Sequence, residues 1–315
     1  MARGSNARGR PVADLDIRFE WHGGDWERLF DAQIELVKSD VARAKAEDRL
    51  VVYLSCPISA RGGGYSGTNV DVAQAIQRRL LERWGEGVWI LNPAQYQMES
   101  RAGTGLMNMH ASRLGIDIEA LVRDHGPPGG GDYMRMWTKV LAENGEQVGR
   151  HAVDPRLADT GQYFDAYYFI GPTDVQKMFL GEGETLTAGI SEYFARKTAV
   201  DPDFCDYYSV SGIAWEPLVP GAVMDAGQAR LRNEWQRRRN DFLRFYLFRA
   251  GANYSLGCHD EWNIFLGLNA KRRAILEKAD GRELGGIGEQ IAGLFDGRQI
   301  DPASTEIGAS GGYAI

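Results

Sequence analysis

The sequence is poor in cysteine: its 315 residues include only Cys56, Cys205 and Cys258. Three cysteines in a chain of this length do not make a disulfide framework, and their spacing matches no zinc-binding pattern. We therefore expect reduced, buried thiols, and we expect the protein to use neither a metal nor a cofactor.

A long apolar run and an excess of positive charge are also missing. No apolar segment approaches the roughly 20 residues that cross a bilayer, and the N-terminal MARGSNARGRPVADLD has no apolar core of a signal peptide. Lysine and arginine number 36 against 43 aspartates and glutamates, for a formal net charge of −7, the wrong sign for a protein that binds nucleic acid phosphates. We expect a cytoplasmic protein that binds neither a membrane nor a nucleic acid polymer.

The composition is otherwise that of a folded domain. With 43% hydrophobic residues, the chain can bury a full core. Residues 1–15 are rich in Gly, Arg, Ser and Asn, which predicts a disordered N-terminus, and residues 301–315 are expected to form a flexible tail. Residues 16–300 are predicted to form a single α/β domain with an insertion at about 173–230.

The first hundred residues show an added helix followed by a βαβ pattern. Apolar residues at helical spacing, among them Trp26, Phe30 and Ile34, predict the added helix. LVVYLSCP and GVWILNP are typical of buried parallel strands. Between them, NVDVAQAIQRRLLERWG predicts an amphipathic helix with Asn69 as N-cap. This order predicts a three-layer α/β/α fold with a central parallel sheet, Rossmann-like or flavodoxin-like, whose ligand sites lie at the carboxyl ends of the strands.

Later segments are less regular. DYMRMWTKVLAENG predicts a helix that Asp132 opens, and FDAYYFIGP predicts a third strand that ends in Gly-Pro. The segment from 173 to about 229 contains one predicted helix, TLTAGISEYFARKTA, in otherwise irregular sequence. A helix is expected up to about Arg249, and another from near His259.

The loop ISARGGGYSGTN between the first strand and its helix carries a glycine cluster. Glycines at this place let backbone N–H groups approach an anion at the positive helix N-terminus. Arg61 adds a guanidinium, and Ser59, Ser66 and Thr68 add hydroxyls. The loop lacks the spacing of a P-loop or of a dinucleotide fingerprint. From the loop alone, a phosphate cradle and a mobile turn are equal alternatives.

A second polar cluster is YSLGCHDEW, residues 254–262. Ser255 and Gly257 precede a predicted helix whose first turn holds Asp260 and Glu261. Hydroxyl, backbone amides and carboxylates would then converge at one helix start. Helix capping is the alternative explanation, because serine and acidic residues suit that place in any helix.

Together the two stretches resemble one family. YLSCPISARGGG is similar to the opening strand and loop of the nucleoside 2-deoxyribosyltransferase-like superfamily. Its ISARGG is similar to the Ser-Ile-Arg-Gly-Gly loop of the 2′-deoxynucleoside 5′-monophosphate N-glycosidases. A Ser-Leu-Gly-x-x-x-Glu motif supplies the catalytic glutamate of that family, and Ser255, Leu256, Gly257 and Glu261 have the same spacing. The resemblance covers a minor part of the chain, and family members are usually shorter.

The resemblance implies cleavage of the N-glycosidic bond of a nucleoside 5′-monophosphate, by hydrolysis or base exchange. Glu261 would be the nucleophile that attacks the anomeric carbon and forms a glycosyl-enzyme ester. Tyr65 would lie close to the sugar and the nucleophile. The residues implied to hold the phosphate come from both stretches: Ser59, Arg61, Gly62, Gly63, Gly64, Ser255 and Gly257. The ligand would be a small nucleotide or nucleoside, and the protein would form a homodimer or a larger homo-oligomer.

Several assignments stay open. The family has an aspartate on a helix before its third strand, for which Asp132 is our first candidate and Asp241 the alternative. Glu192 is the alternative nucleophile. His259 could protonate the leaving base, or it could be a helix-start histidine bonded to solvent or backbone. Because the predicted third strand lies far from the glutamate motif, either a large insertion separates them or FYLFRA is the third strand.

Other functions are also compatible with the sequence. The same pocket could bind a nucleotide without catalysis. Cys258 beside His259 could belong to a thiol enzyme, although neighbouring residues at a helix start point in different directions. GPPGGGDYMRMW is similar to the signature of cytokinin-activating phosphoribohydrolases, but it lacks the Thr and Glu of that signature, so we interpret it as a loop and helix cap.

Overall fold

The computed structural model describes residues 24–60, 64–98, 104–142, 161–213, 225–278 and 290–301. Its sheet has the order β2-β1-β3-β4-β5. The first four strands are parallel, and β5 runs antiparallel to β4. The strands are β1 Leu50–Ser55, β2 Val88–Leu91, β3 Ala166–Phe169, β4 Ala292–Phe295 and β5 Arg298–Ile300.

Helices surround this sheet. Those in the first half of the described chain are α1 Trp26–Ala46, α2 Ser66–Trp84, α3 Thr104–Leu114, α4 Ile118–His125 and α5 Gly130–Ala142. Those between β3 and β4 are α6 Pro172–Leu180, α7 Leu186–Val200, α8 Pro202–Tyr207, α9 Ala226–Phe248 and α10 Leu256–Lys278.

Side chains of β1 alternate between two hydrophobic clusters. Val51 and Tyr53 belong to the cluster that includes residues of α1, α3, α4, α5 and α10. Val52 and Leu54 belong to the cluster that includes residues of α2, α6, α7, α8 and α9. Because successive strand residues point to opposite faces, helices cover both faces of the sheet in three layers.

The added helix α1 is confirmed, and its apolar stripe explains its position. Trp26, Phe30 and Val37 are fully buried, and α1 packs against α3 and α5. The Trp26 indole N–H also donates to the carbonyl of Gly126 at 3.0 Å. The apolar stripe of α1 is buried by the sheet on one side and by these neighbouring helices on the other.

The predicted α/β class, with a mostly parallel sheet and the three predicted strands, is confirmed. The alternative third strand FYLFRA is wrong, since most of it lies at the C-terminal end of α9. The segment after β3 is also more regular than expected. It holds α6, α7 and α8, where the sequence predicted one helix, and prolines at the first positions of α6 and α8 start these helices.

The prediction that Asn69 is the N-cap of α2 is wrong. The helix begins at Ser66, with Tyr65 as N-cap, so Asn69 lies inside it and is buried. The Asn69 amide donates to the carbonyl of Ile58 at 3.2 Å and accepts from the Tyr246 hydroxyl at 2.9 Å. Asn69 therefore joins α2 to the loop after β1 and to α9.

Strands β4 and β5 were not predicted, because β4, AGLF, holds a glycine and only two large apolar residues and β5, RQI, holds only one. Their link carries a recognisable signal, however. Asp296 and Gly297 both have positive φ, 52° and 77°, as a two-residue type I′ hairpin requires, and Asp-Gly is a preferred pair for that turn.

None of the described helices combines the length and the apolar character needed to cross a membrane. The predicted disordered N-terminus and the tail beyond residue 301 lie outside the described residues.

Candidate active site

A cavity of about 1210 Å³ opens at the carboxyl edge of β1 and β2. The chain just after each of these strands lines it, together with the starts of α2 and α5. Its other walls come from α7 and α8 and from the α9–α10 junction, residues 249–255. This is the edge at which parallel α/β sheets bind ligands.

The carboxylate of Glu261 lies at this cavity and is held by β1. The Tyr53 hydroxyl donates to Glu261 Oε1 at 2.7 Å, and the Ser55 hydroxyl donates to Oε2 at 2.5 Å. Tyr53 and Ser55 are two residues apart, so both point to the face of the sheet that α10 covers. Each carboxylate oxygen thus has a donor from the end of one strand.

Burial changes the protonation of Glu261. The side chain is 5% exposed, and desolvation raises its pKa from 4.5 to about 7, although the hydrogen bonds from Ser55 and Tyr53 act in the opposite direction. The negative charge of Asp260 adds to the increase. The glutamate therefore exchanges a proton near neutral pH, as groups in active sites often do.

The start of α10 lies in the same wall as Glu261. Ser255 caps the helix, since its hydroxyl accepts from the Cys258 N–H at 3.4 Å. Ser255, Leu256 and Gly257 all line the cavity. The second motif therefore contributes both its N-terminal residues and its glutamate to one space.

The glycine loop is described only at its two ends. Arg61, Gly62 and Gly63 lie outside the described residues. Ser59 is exposed and lines the cavity, as does Ala60.

Gly64, at the other end of this loop, is buried behind the cavity lining. The Tyr207 hydroxyl donates to its carbonyl at 2.6 Å. Its φ is +94°, and a Cβ there would lie 2.4 Å from the ring of Phe245. One described end of the loop therefore lies at the cavity after β1, and the other end contacts α8 and α9.

Tyr65 lines the cavity, but its ring packs into an aromatic cluster. Ring centroids lie 5.2 Å from Phe204 and 5.4 Å from Tyr207. The tyrosine that donates to Glu261 is Tyr53. The strand pattern could have indicated Tyr53 and Ser55, because both precede the glycine loop on the same face of β1.

The remaining candidates lie away from the cavity lining. Asp132 is buried, and its carboxylate accepts from the N–H of Gly129 at 2.7 Å. The ring of His259 contacts the carbonyl of Asn253 at 3.0 Å, which is the backbone-bonded arrangement considered above. Two of the alternatives, Glu192 and Asp241, are exposed on α7 and α9.

An ion-paired group joins the first turns of α2 to the wall that α7 and α8 contribute. Lys197 Nζ lies 2.8 Å from the Asp71 carboxylate and 3.8 Å from that of Asp201. The Tyr193 hydroxyl donates to the same Asp71 oxygen at 2.5 Å. With Asp203 also lining the cavity, this wall carries more negative than positive charge. No spacing in the sequence could have indicated this group, because Asp71 and Lys197 lie far apart in the chain.

The wall formed by α5 is mainly apolar. Tyr133, Met134 and Trp137 line the cavity there, and Gln95 and Gln97 line it after β2. Flat apolar side chains with a few amides suit a planar heterocycle.

In the described part of the chain, no group of three or more His, Cys, Asp or Glu residues could hold a metal ion. Comparison with protein-family models, curated proteins and solved structures yields no match for this chain.

Proposed function

We propose that the protein cleaves the N-glycosidic bond of a nucleoside 5′-monophosphate, with Glu261 as the nucleophile. The observation that carries the proposal is the position of the Glu261 carboxylate. It is buried at a large cavity on the carboxyl edge of the sheet, and two hydroxyls of β1 orient it. The resemblance to the nucleoside 2-deoxyribosyltransferase-like superfamily supports it, and we propose membership of that superfamily.

The proposed reaction has two steps. An oxygen of ionised Glu261 bonds to the anomeric carbon while the carbon–nitrogen bond breaks, and the bond's electron pair leaves with the base, which takes up a proton. Water or a second base then attacks the same carbon and releases the carboxylate. Hydrogen bonds from Tyr53 and Ser55 fix the direction of attack, since a misplaced nucleophile loses much of its rate.

The proposal also covers the fold family of the sheet and the oligomeric state of the protein. The strand order 2-1-3-4-5 is that of the flavodoxin-like doubly wound sheets, and we propose that this sheet is a variant with an antiparallel last strand. The expected homo-oligomer rests on the family resemblance. The ligand is a small nucleotide or nucleoside.

Release of free base tests the reaction. Purified protein is incubated with a panel of ribo- and deoxyribonucleoside monophosphates, and the products are separated by chromatography. We expect base release from at least one substrate, abolished in Glu261→Gln and retained in Glu192→Gln. The opposite pattern for the two variants would contradict the assignment of Glu261, and no release from any substrate would contradict the proposed reaction.

Binding without catalysis is the second candidate, and one observation favours it. With a pKa of about 7, much of Glu261 is protonated at neutral pH and could donate a hydrogen bond to a bound base or sugar. A ligand that binds only the native state raises the melting temperature. A rise in the melting temperature with a nucleotide that the protein does not cleave would support binding without catalysis.

A further inference from the structure

The two described cations that line the cavity differ in their surroundings. Lys197 is paired with Asp71 and lies near Asp201. Arg249 is exposed, and within the described residues its guanidinium forms no ion pair or hydrogen bond. A guanidinium offers five donors in a planar fork that matches the oxygens of a phosphate.

Arg249 has a fixed place at the edge of the sheet. It is the C-cap of α9, and its backbone N–H donates to Phe245. Three residues later, the N–H of Ala252 donates at 2.7 Å to the carbonyl of Ile170, the residue after β3. Between them, Gly251 has a φ of +134°, which favours glycine. These contacts hold the chain around Arg249 beside the end of β3.

The same stretch of chain leads directly to Glu261. Arg249, Ala250, Gly251 and residues 254–258 all line the cavity, so the arginine and the start of α10 belong to one continuous wall. Elsewhere the lining carries Asp71, Asp201 and Asp203, whose charges repel an anion. A phosphate in this cavity is therefore best accommodated on the side of Arg249.

We propose that Arg249 binds the phosphate group of the substrate and makes the site select a nucleoside 5′-monophosphate over the free nucleoside. This inference rests on the proposed function. It adds a specificity-determining residue, contributed by the helices between β3 and β4, to the residues that the sequence motifs indicated.

Paired substrates test the kinetic part of the inference. For Arg249→Ala we expect KM for the monophosphate to rise about tenfold to a hundredfold, the usual range for a hydrogen bond to a charged group, while kcat/KM for the matching nucleoside stays unchanged. Arg244→Ala is the matched control, since Arg244 is an exposed arginine of α9 paired with Asp241 and lies outside the cavity lining. An equal loss on both substrates would contradict a phosphate contact.

A binding measurement separates this inference from the proposed reaction. In Glu261→Gln, the melting temperature is recorded with the monophosphate, the nucleoside and inorganic phosphate. We expect the monophosphate to stabilise the protein more than the nucleoside does, and Arg249→Ala to remove that difference, with partial retention in Arg249→Lys. A difference that survives Arg249→Ala would overturn the inference. Absence of base release together with this phosphate-dependent binding would overturn the proposed reaction alone.

Discussion

The Ser55 hydroxyl donates a 2.5 Å hydrogen bond to Glu261, 206 residues further along the chain. Ser55 ends β1, and Glu261 lies in the second turn of α10. The bond therefore joins the end of β1 to α10, which follows α6, α7, α8 and α9 in the chain. It also places the carboxylate at the point where the glycine loop begins.

Removing the Ser55 hydroxyl should change the pH dependence of activity. The hydroxyl lowers the pKa of Glu261, so in Ser55→Ala that pKa rises and less of the nucleophile is ionised at a given pH. We expect the acid limb of the rate profile to move to higher pH, with activity at pH 6 about tenfold lower and partial recovery at pH 9. Base release measured from pH 5 to 9 checks this expectation.

Ser191→Ala is the control for that profile, because the Ser191 hydroxyl bonds to the Thr187 carbonyl within α7. Its profile should match that of the unaltered protein. A Ser55→Ala profile that is lower at every pH without a shift would mean that the hydroxyl acts on geometry alone.

Glu261→Gln should stabilise the protein at neutral and higher pH. Burial raises the pKa of Glu261 from 4.5 to about 7, so between these values the folded state keeps a proton that the unfolded state has lost. The free energy of unfolding therefore falls as pH rises through this window, by about 3 kcal/mol in total. A neutral glutamine avoids this loss.

Urea unfolding at several pH values measures the effect. The advantage of Glu261→Gln over the unaltered protein should be small near pH 4.5, grow up to about pH 7 and then level off. A difference independent of pH would show that Glu261 does not titrate in this range.

Local patterns were sufficient to predict the frame of the fold. Short apolar runs that end near a proline indicated the first three strands, and the apolar stripe of α1 indicated its packing. The arrangement of the helices between β3 and β4 was not predictable, because it depends on how α6 to α10 pack against one another. β4 and β5 hold too few apolar residues for an apolar run to reveal them, although Asp296 and Gly297 marked their turn.

The structure brings together predicted site residues that lie within the two motifs. Ser255, Gly257 and Glu261 line one cavity with Ser59, as the resemblance implied. Groups joined only by the tertiary fold were missed, such as Lys197 with Asp71 and Arg249 at its helix end, since no spacing in the sequence connects them.

Gly64→Ala should destabilise the protein by about 2–5 kcal/mol. The residue has a φ of +94°, and an added Cβ would lie 2.4 Å from the ring of Phe245. Backbone strain at positive φ costs about 1–2 kcal/mol, and overpacking adds about 1–3 kcal/mol. Chemical denaturation gives the difference.

Gly85→Ala separates the two costs. Gly85 also has a positive φ, +80°, but an added Cβ would meet nothing within 4 Å. Gly85→Ala should therefore lower the free energy of unfolding only by the cost of backbone strain. In Gly64→Ala, a second change of Phe245→Ala should restore part of the stability, and equal losses at Gly64 and Gly85 would contradict the close approach of the ring.

Asn269→Ala should destabilise the protein through the attachment of β4. Asn269 is fully buried in α10. Its side-chain carbonyl accepts from the Ile291 N–H at 2.7 Å, and its amide donates to the Ile291 carbonyl at 3.2 Å. Alanine leaves both backbone groups of Ile291 buried without these bonds, at a cost of about 2–4 kcal/mol.

Asn263, half-buried on the same helix, is the matched control, and its change to alanine should cost under about 1 kcal/mol. Because Ile291 leads directly into β4, hydrogen exchange at the β3–β4 pairing should quicken in Asn269→Ala alone, and unchanged exchange there would mean that β4 is held by its strand partners without the asparagine.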